Sequence, residues 1–209
     1  MEIESKYTVT EQFDSDTLAS LDLSPYHLRP LQDTRHHDVH LDTADHRISA
    51  RKCGVRIRRE ADGTSKLTFK TQGQYSGGIH QREEIEEEVA SNAEFEMDQW
   101  PQHIASRVRE LAGDEPVVAM FEIKIRRRAW AVERDGNVIG ELAFDDGNII
   151  AGERTEAVCE IEVEIKDNGT HADLEELGRR LMDLLPLRPE SRTKRHRGMD
   201  LLKAPTPNP

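Results

Sequence analysis

Glu2, Glu4 and Lys6 stand at alternate positions at the start of the chain. In a β-strand, side chains two residues apart point to the same face, so these three would share a surface while Ile3 and Tyr7 line the other. A pair of carboxylates beside an ammonium group suits a divalent metal ion held against a phosphate. A solvated edge strand has the same spacing, so this segment alone leaves both interpretations open.

Polar and charged residues alternate in the same way in later segments. The sets that share a face are Arg56 and Arg58; Lys66, Thr68 and Lys70; Arg82, Glu84, Glu86 and Glu88; Glu141, Ala143 and Asp145; and Glu160, Glu162 and Glu164. An antiparallel sheet with one hydrated face produces this pattern. A closed barrel also produces it when the charged faces point inward, where basic strands bind an anion and acidic strands hold metal ions.

The basic strands favour a polyphosphate as the anion. A unit charge pair about 4 Å apart is worth roughly 4 kcal/mol at an effective dielectric constant near 20. A small dianion would not neutralise the whole set of inward Lys and Arg side chains, whereas a triphosphate with its metal ions would. Arginine also binds phosphate oxygens through a bidentate fork.

The elements that must position these residues follow from hydrophobic periodicity and turn signals. The pattern predicts strands near 2–9, 35–41, 54–60, 65–71, 79–89, 117–134, 137–146 and 157–166, with turns at Asp62-Gly63, Gly77-Gly78 and Asp135-Gly136. It predicts helices over 14–22 with caps at Asp14 and Ser15, over 94–111 ending at Gly113, over 170–185 between Thr170 and Pro186, and over 191–203. Eight mostly antiparallel strands are enough to close a barrel. We therefore expect an α+β fold, an eight-stranded antiparallel β-barrel with helices packed outside, in one domain over 1–203, followed by a Pro-rich tail or linker over 204–209.

Composition narrows the function classes. The formal net charge of -12 argues against a general binder of nucleic acid or of an anionic membrane. Cys53 and Cys159 lack zinc-type spacing, and neither a signal peptide nor a membrane-spanning apolar run is present, so we expect a cytoplasmic protein. We find no carboxylate or cysteine partner at fixed helical spacing for the histidines His36, His37, His40 and His46, and no dedicated metal site is predicted there.

An ordered series of short motifs runs through nearly the whole chain: Glu2-Ile3-Glu4-Ser5-Lys6, Leu41-Asp42-Thr43, Val55-Arg56-Ile57-Arg58, Leu67-Thr68-Phe69-Lys70, Arg82-Glu83-Glu84, Asp145-Asp146-Gly147, Cys159-Glu160-Ile161-Glu162 and Thr193-Lys194. In this series the chain resembles the CYTH group, the triphosphate tunnel metalloenzymes. The stretch 77–82 is similar to the bacterial inorganic triphosphatases, whose CYTH domain often precedes a helical CHAD domain.

The resemblance implies a tunnel that binds inorganic triphosphate end-on and hydrolyses it to pyrophosphate and phosphate with Mg²⁺ or Mn²⁺. Glu2, Glu4 and Lys6 would be catalytic. The metal ligands would be Glu2, Glu4, Glu160 and Glu162, assisted by Glu84 and Asp145. The phosphates would be bound by Lys6, Arg56, Arg58, Lys70, Arg82, Arg127 and Lys194. Arg127 is chosen because it lies three residues before Trp130, although simple alternation groups Arg126, Arg128 and Trp130, and a bulge would change the register.

Two departures from the family pattern are His40 in place of the usual Tyr and Thr193 in place of the usual Ser; neither removes a charge. The alternatives are a class IV adenylate cyclase or a nucleoside or thiamine triphosphatase, disfavoured by the few aromatic residues, and a non-catalytic polyphosphate-binding module. The expected partner is a small-molecule triphosphate, with no nucleic acid and no membrane. A homodimer is left open, as is a C-terminal CHAD domain, which the present sequence lacks.

Overall fold

The structure, a computed structural model, describes residues 2–13, 16–60, 63–71, 73–76, 79–90, 95–166 and 168–203. Several predicted features lie outside these ranges: the caps Asp14 and Ser15, Asp62 of the first turn, the Gly77-Gly78 turn, position 94 at the start of the second predicted helix, and the tail 204–209. No helix among the described residues is long and apolar enough to cross a membrane.

One mostly antiparallel, curled sheet dominates the fold. Twelve strands occur in the described part of the chain: β1 (Glu2–Val9), β2 (His27–Pro30), β3 (Thr34–Thr43), β4 (Gly54–Arg59), β5 (Ser65–Lys70), β6 (Gln74–Ser76), β7 (Ile79–Arg82), β8 (Glu84–Val89), β9 (Val117–Arg134), β10 (Asn137–Ala151), β11 (Arg154–Ile165) and β12 (Leu187–Pro189). The main order is β6-β7-β1-β11-β10-β9-β3-β4-β5-β8, with β12 beside β1 and β2 beside β9.

The strand count differs from the predicted eight for two reasons. The short strands β2, β6 and β12 add to the sheet, and each is too short to show a period of two. The predicted strand 79–89 is interrupted at Glu83: its first part, β7, pairs with β1, and its second part, β8, pairs with β5. This segment therefore passes from one edge of the sheet to the other, and the chain itself joins the two edges of the curl.

The described helices are α1 (Asp16–Ala19), α2 (Arg47–Ala50), α3 (Gln102–Ala112), α4 (His171–Leu184) and α5 (Lys194–Lys203), with a short 3₁₀ helix at Met97–Gln99. Two predicted boundaries are confirmed. Helix α4 begins after Thr170, whose hydroxyl accepts from the backbone N–H of Asp173 while the Asp173 side chain accepts from the Thr170 backbone, forming a capping box. Helix α3 ends at Gly113, which has a positive φ of 64°. Helix α2 was not predicted.

Two hydrophobic clusters lie on the outer face of the sheet, beneath α4 and α3. Leu174, Leu177 and Leu181 of α4 pack with Ile161 and Val163 of β11, and α3 covers β4 and β5 in the same way. Helix α5 instead packs against the inner face of β9, β10 and β11, where Met199 clusters with Ile123 and Ile149. Since side chains alternate along a strand, burial of one face under helices directs the charged residues of the other face into the curl.

Candidate active site

The charged faces of the strands surround a cavity of about 480 Å³ inside the curled sheet, which we call the tunnel. Strands from all round the sheet contribute to its lining, and α5 contributes its first turn. All but one of the predicted site residues line it: Glu2, Glu4, Lys6, Arg56, Arg58, Lys70, Arg82, Glu84, Arg127, Asp145, Glu162 and Lys194. The exception is Glu160.

Strand β1 places its three alternate charges in the tunnel among partners of opposite sign. Glu4 Oε2 is 3.0 Å from Lys6 Nζ, and Glu4 Oε1 is 2.8 Å from Arg82 Nη2. Glu2 contacts the Arg82 guanidinium and lies 3.2 Å from Lys70 Nζ. Burial would raise the pKa of Glu2, but Lys70 and Arg82 outweigh it and hold that pKa well below its ordinary value. Both ends of the strand's charged face are thus tied to basic residues of neighbouring strands.

Glu162 is the centre of the largest ion-pair cluster in the tunnel. Its carboxylate contacts Lys6, lies 2.6 Å from Arg127 Nη2 and lies 2.8 Å from Lys194 Nζ. Burial opposes ionisation, but Lys194, Lys6 and Arg127 together hold the pKa of Glu162 well below its ordinary value. The same contacts raise the pKa of Lys6, which burial would lower, through Glu162 and Glu4. At neutral pH charges are therefore carried by Glu162, Lys6, Lys194 and Arg127.

Arg127 lies on the tunnel face of β9, in line with Ile123 and Ile125. Its guanidinium binds Asp145 through two bonds of 2.7 Å, from Nε to Oδ1 and from Nη2 to Oδ2. Arg126 and Arg128 point to the other side, where Arg126 pairs with Asp33 and Arg128 lies over the Phe144 ring. The alternation therefore runs through Arg127 without a bulge at this point; the irregularities lie elsewhere, at Met120 of β9 opposite His40 and Leu41, and at Ile139 of β10.

Glu160 is fully buried at the side of the tunnel and does not line it. Its Oε2 lies 2.8 Å from Lys194 Nζ, and its Oε1 contacts Arg197 of α5. Helix α5 can approach this closely because Gly198 lies against the Phe121 ring, which a Cβ at that position would overlap. Residues of α5 therefore lie between the Glu160 carboxylate and the cavity. The assignment of Glu160 as a metal ligand stays a prediction.

Arg56 and Arg58 of β4 were predicted to bind phosphate, but the carboxylate that they contact in the structure was not predicted. Arg58 binds Asp38 through Nε at 2.7 Å and Nη2 at 2.9 Å, and Arg56 Nη1 is 3.3 Å from the same carboxylate. Burial would raise the pKa of Asp38, but Arg56 and Arg58 hold it far below the ordinary value. The signal in the sequence was the position of Asp38 between His36 and His40 on one face of a predicted strand.

Lys70 and Glu84 form an ion pair in the tunnel whose charged forms are disfavoured by burial. They lie 2.7 Å apart. Burial raises the pKa of Glu84, an effect that Lys70 only partly offsets, and burial together with Arg82 and Arg56 lowers the pKa of Lys70. Ionisation is therefore less favoured for this pair than for Glu162 and Lys6, whose pKa values shift in the opposite directions.

The four histidines lie in different environments. His40 lines the tunnel, stacks on Phe121 at 4.6 Å between ring centroids, and has a pKa lowered to about 3, chiefly by burial. His37 pairs with Glu122, His46 lies at the start of α2, and His36 lies within 3.0 Å of the Thr34 hydroxyl.

Asp42, from the motif Leu41-Asp42-Thr43, does not line the tunnel. It accepts the backbone N–H groups of Ile48 and Ser49, so it caps α2.

The donor chemistry of the tunnel suits a divalent cation. Glu2, Glu4 and Glu162 offer carboxylate oxygens, the ligands that Mg²⁺ and Mn²⁺ prefer, on the neighbouring strands β1 and β11. In the described ranges no three His, Cys, Asp or Glu side chains converge on one point. Instead, Lys and Arg side chains lie between these carboxylates, so a bound cation would take over contacts that Lys6 and Arg82 make here.

Comparison with known proteins now places the chain. The CYTH domain family matches residues 1–199. The chain belongs to the CYTH family. This CYTH domain is 34% identical over 146 residues to the inorganic triphosphatase of Haemophilus influenzae. That match covers 66% of this chain and 37% of the relative, so the chain spans well under half of the relative's length.

Solved structures share the fold of this CYTH domain. HpAC1 from Hippeastrum, named as an adenylyl cyclase and described as having a dominant triphosphatase activity, superposes with a TM-score of 0.72 at 20% identity over 96% of both chains. A Bacillus halodurans protein named as an adenylate cyclase has a TM-score of 0.63 at 16% identity, covering 94% of this chain and 96% of its own. At these identities the likeness establishes the tunnel architecture alone.

Proposed function

We propose that this CYTH domain hydrolyses inorganic triphosphate to pyrophosphate and phosphate, with Mg²⁺ or Mn²⁺ as cofactor. The observation that carries the proposal is the tunnel lining, where ten Lys and Arg side chains and eight Asp and Glu side chains surround one cavity. CYTH triphosphatases in general depend on a metal ion. An excess of cations over carboxylates inside a chain of net charge -12 suits a small, highly charged anion.

The arginines supply the binding of phosphate oxygens. Arg56, Arg58 and Arg127 present planar guanidinium groups from β4 and β9, and a guanidinium binds two phosphate oxygens at once. Lys6, Lys70, Arg82 and Lys194 add point charges and single donors from other sides of the tunnel. Because carboxylates hold these groups in place before the substrate enters, little reorganisation is needed when the phosphates take over the contacts.

The carboxylates Glu2, Glu4 and Glu162 are the residues that we propose to hold the divalent cation, with Glu84 and Asp145 beside them. The chemistry that such a cation supplies is neutralisation of phosphate charge and activation of a water molecule. Lys6 lies between Glu4 and Glu162 and stays protonated, so it is placed to stabilise the charge that develops on the leaving pyrophosphate.

The preference for an inorganic substrate rests on the lack of a platform for a base. Among the described lining residues, Tyr75 is the one Phe, Tyr or Trp side chain, and it is exposed and packs on His80 at 4.7 Å between ring centroids. Nucleotide and thiamine pockets generally stack the ring system between aromatic side chains. We therefore place ATP and thiamine triphosphate behind inorganic triphosphate.

The test is phosphate release from inorganic triphosphate, ATP and thiamine triphosphate, each with Mg²⁺ and with Mn²⁺. We expect inorganic triphosphate to give the highest kcat/KM. Glu4→Gln and Glu162→Gln should each lower kcat/KM about a hundredfold or more, as removal of a preorganised charge does at other phosphoryl- and acyl-transfer sites.

The matched control is Glu176→Gln, the same change on the exposed surface of α4, which should leave turnover unchanged. Circular dichroism confirms that each variant is folded. Near wild-type turnover in both tunnel variants would contradict the metal assignment, and equal rates on ATP and inorganic triphosphate would contradict the substrate assignment. Triphosphate binding without turnover under either metal would favour the binding module.

The remaining expectations about partners and compartment stay predictions. Within the described residues Cys53 and Cys159 are not in a disulfide, and two reduced cysteines are compatible with the proposed cytoplasmic compartment. A CHAD domain or a second copy of the chain as partner is tested by co-purification and by measuring the mass of the protein in solution.

A further inference from the structure

Two cations in the tunnel lining differ from all the others. Each of the other eight Lys and Arg side chains of the lining lies within ion-pair distance of a carboxylate. Lys52 and Arg195 have no such carboxylate among the residues that the structure describes. They account for the excess of ten cations over eight carboxylates in that lining.

Lys52 and Arg195 lie at the same end of the tunnel. The Arg195 guanidinium donates to the carbonyl of Cys53, the residue between Lys52 and Gly54. Gly54 makes room for it, because a Cβ at that position would lie 2.7 Å from Arg195 Nε. This end is where the chain leaves α2 and enters β4.

The charge of Arg195 is compensated only at a distance. Asp42 acts on Arg195 through space without forming an ion pair with it, and its two oxygens accept the N–H groups of Ile48 and Ser49 in α2. His40, on the same side of the tunnel, is neutral at physiological pH. Burial lowers the pKa of Arg195, yet arginine stays protonated in proteins, so a half-buried positive charge remains at this end.

The turn that ends α2 fixes the position of Lys52. Its φ is 57°, in the left-handed region that glycine adopts without cost and a lysine does not. The backbone bonds from Lys52 N–H to the Ser49 carbonyl and from Cys53 N–H to the Ile48 carbonyl hold this conformation as the C-terminal cap of α2. The Lys52 side chain reaches the tunnel lining from this turn.

We propose that Lys52 and Arg195 form a subsite for the third phosphoryl group of a triphosphate, which pyrophosphate, with two phosphoryl groups, lacks. This inference rests on the proposed function, since it names the part of the same tunnel that recognises the third phosphoryl group. Arg195 offers guanidinium donors to its oxygens, and the exposed Lys52 side chain adds an ammonium group. Neither residue lies on a strand face, and neither is among the residues that the family resemblance points to.

The experiment measures dissociation constants by calorimetry in EDTA, so that ligand is not consumed. The ligands are inorganic triphosphate, pyrophosphate and ATP. We expect Arg195→Met and Lys52→Gly each to weaken triphosphate binding about tenfold or more while pyrophosphate binding changes less than about twofold, since one charge-assisted contact is lost in the first case alone. Arg195→Lys should retain part of the affinity.

Lys52→Gly separates binding from stability. It removes the side chain and relieves the positive φ, so the denaturant midpoint should be unchanged or higher while triphosphate binding falls. The control for net charge is Arg126→Met, an equal loss of charge on the outer face of β9 beside Asp33, which should leave all three affinities unchanged. An ATP loss equal to the triphosphate loss assigns the subsite to the terminal phosphoryl group of any triphosphate; an unchanged ATP affinity assigns it to the inorganic substrate.

Equal losses for triphosphate and pyrophosphate, or no loss in either variant, would overturn the subsite. These results are distinct from a failure of the proposed function. If wild-type protein binds triphosphate but does not turn it over with either metal, hydrolysis is refuted while the subsite still stands on the binding data. If wild-type protein binds no triphosphate at all, both are refuted.

Discussion

The ion pairs around Asp145 in the tunnel and those around Glu176 on α4 use the same kinds of side chain at the same distances. Arg127 and Lys194 lie 2.7 and 2.8 Å from Asp145, and Arg179 and Arg180 each lie 2.7 Å from Glu176. Their surroundings differ: the Asp145 side chain is 0% exposed, whereas that of Arg179 is 57% exposed. Distance alone therefore does not distinguish a functional cluster from a solvated one.

The difference lies in what replaces the pair when it is broken. On α4, water and salt solvate either partner alone, so an exposed pair contributes little to folding. In the tunnel, a carboxylate that loses its partner stays buried with an uncompensated charge. Helices on the outer face of the sheet hold the strands in place, so the tunnel charges cannot simply turn to solvent. Under the proposed function, the phosphate groups of the substrate would take the place of these carboxylates.

The largest expected effect is on stability and comes from Arg127→Met. This change removes the fork from Asp145 and one of three cations from Glu162, leaving buried negative charge in excess. Loss of one partner of a buried pair typically costs about 3–5 kcal/mol, and we expect a decrease of that size in the free energy of unfolding, measured by urea denaturation.

Arg127→Lys is the companion variant. It keeps the charge and loses the bidentate geometry, so its loss should lie between wild type and Arg127→Met. A decrease below about 1 kcal/mol in Arg127→Met, the range of exposed pairs, would mean that the tunnel cluster behaves like the surface one and that the comparison does not hold.

The second-largest expected effect is a dependence of stability on pH that comes from Asp38 in the tunnel. Burial would raise the pKa of Asp38, but Arg56 and Arg58 hold it below the ordinary 3.8. A lowered pKa in the folded state means that the stabilisation is fully present above about pH 3.8 and is lost as the pH falls below it. Asp38→Asn should therefore be less stable than wild type at pH 6, by about 1–3 kcal/mol, and the difference should shrink towards pH 3.

Urea midpoints of the two proteins at the same series of pH values measure that difference directly, because other carboxylates titrate alike in both. The surface pair offers the contrast: Glu176→Gln should show no comparable trend, since both groups are solvated. A difference between wild type and Asp38→Asn that is the same at pH 3 and pH 6 would show that the Asp38 charge does not support the fold.

Much of the tunnel could be predicted from the sequence, because a strand leaves little freedom. Once 2–9, 54–60 and 65–71 are assigned as strands, the period of two fixes which charges share a face, and apolar residues on the other face require that the charges point inward. Arg127 was predicted from the family resemblance, and β9 is regular at that point, with Arg127 on the tunnel face and Arg126 and Arg128 on the other. The roles of these residues in metal and phosphate binding go beyond geometry and remain predictions.

The parts that could not be predicted lie where periodicity gives no information. Lys52 lies in a turn and Arg195 at a helix end, so the period of two that identifies a strand face could not indicate them. Asp38 was on a predicted strand, on the same face as His36 and His40, but the pattern alone did not identify it as a site residue. Glu160 has the right face, yet α5 covers it, and a helix packed across a strand end is a tertiary feature that spacing does not contain.

The smallest expected effect concerns the surface cluster itself. Arg179→Met removes a guanidinium that bonds Glu176 and lies 3.0 Å from Asp183, on a helix whose packing against β1 and β11 depends on its leucines. We expect no resolvable change in the urea midpoint and no change in phosphate release. Salt at high concentration should leave this result unaltered, because the pair is already screened by solvent.

A measurable loss of stability in Arg179→Met would also contradict the comparison, because an exposed pair would then support the fold. It would mean that the network of Glu176, Arg179, Arg180 and Asp183 acts as a unit that supports α4. The double variant with Glu176→Gln decides the matter: if the two losses do not add, the residues are coupled, and the coupling would have to operate through solvent-exposed groups. The tunnel differs in that its coupling runs through buried charge, which is also what a triphosphate would bind.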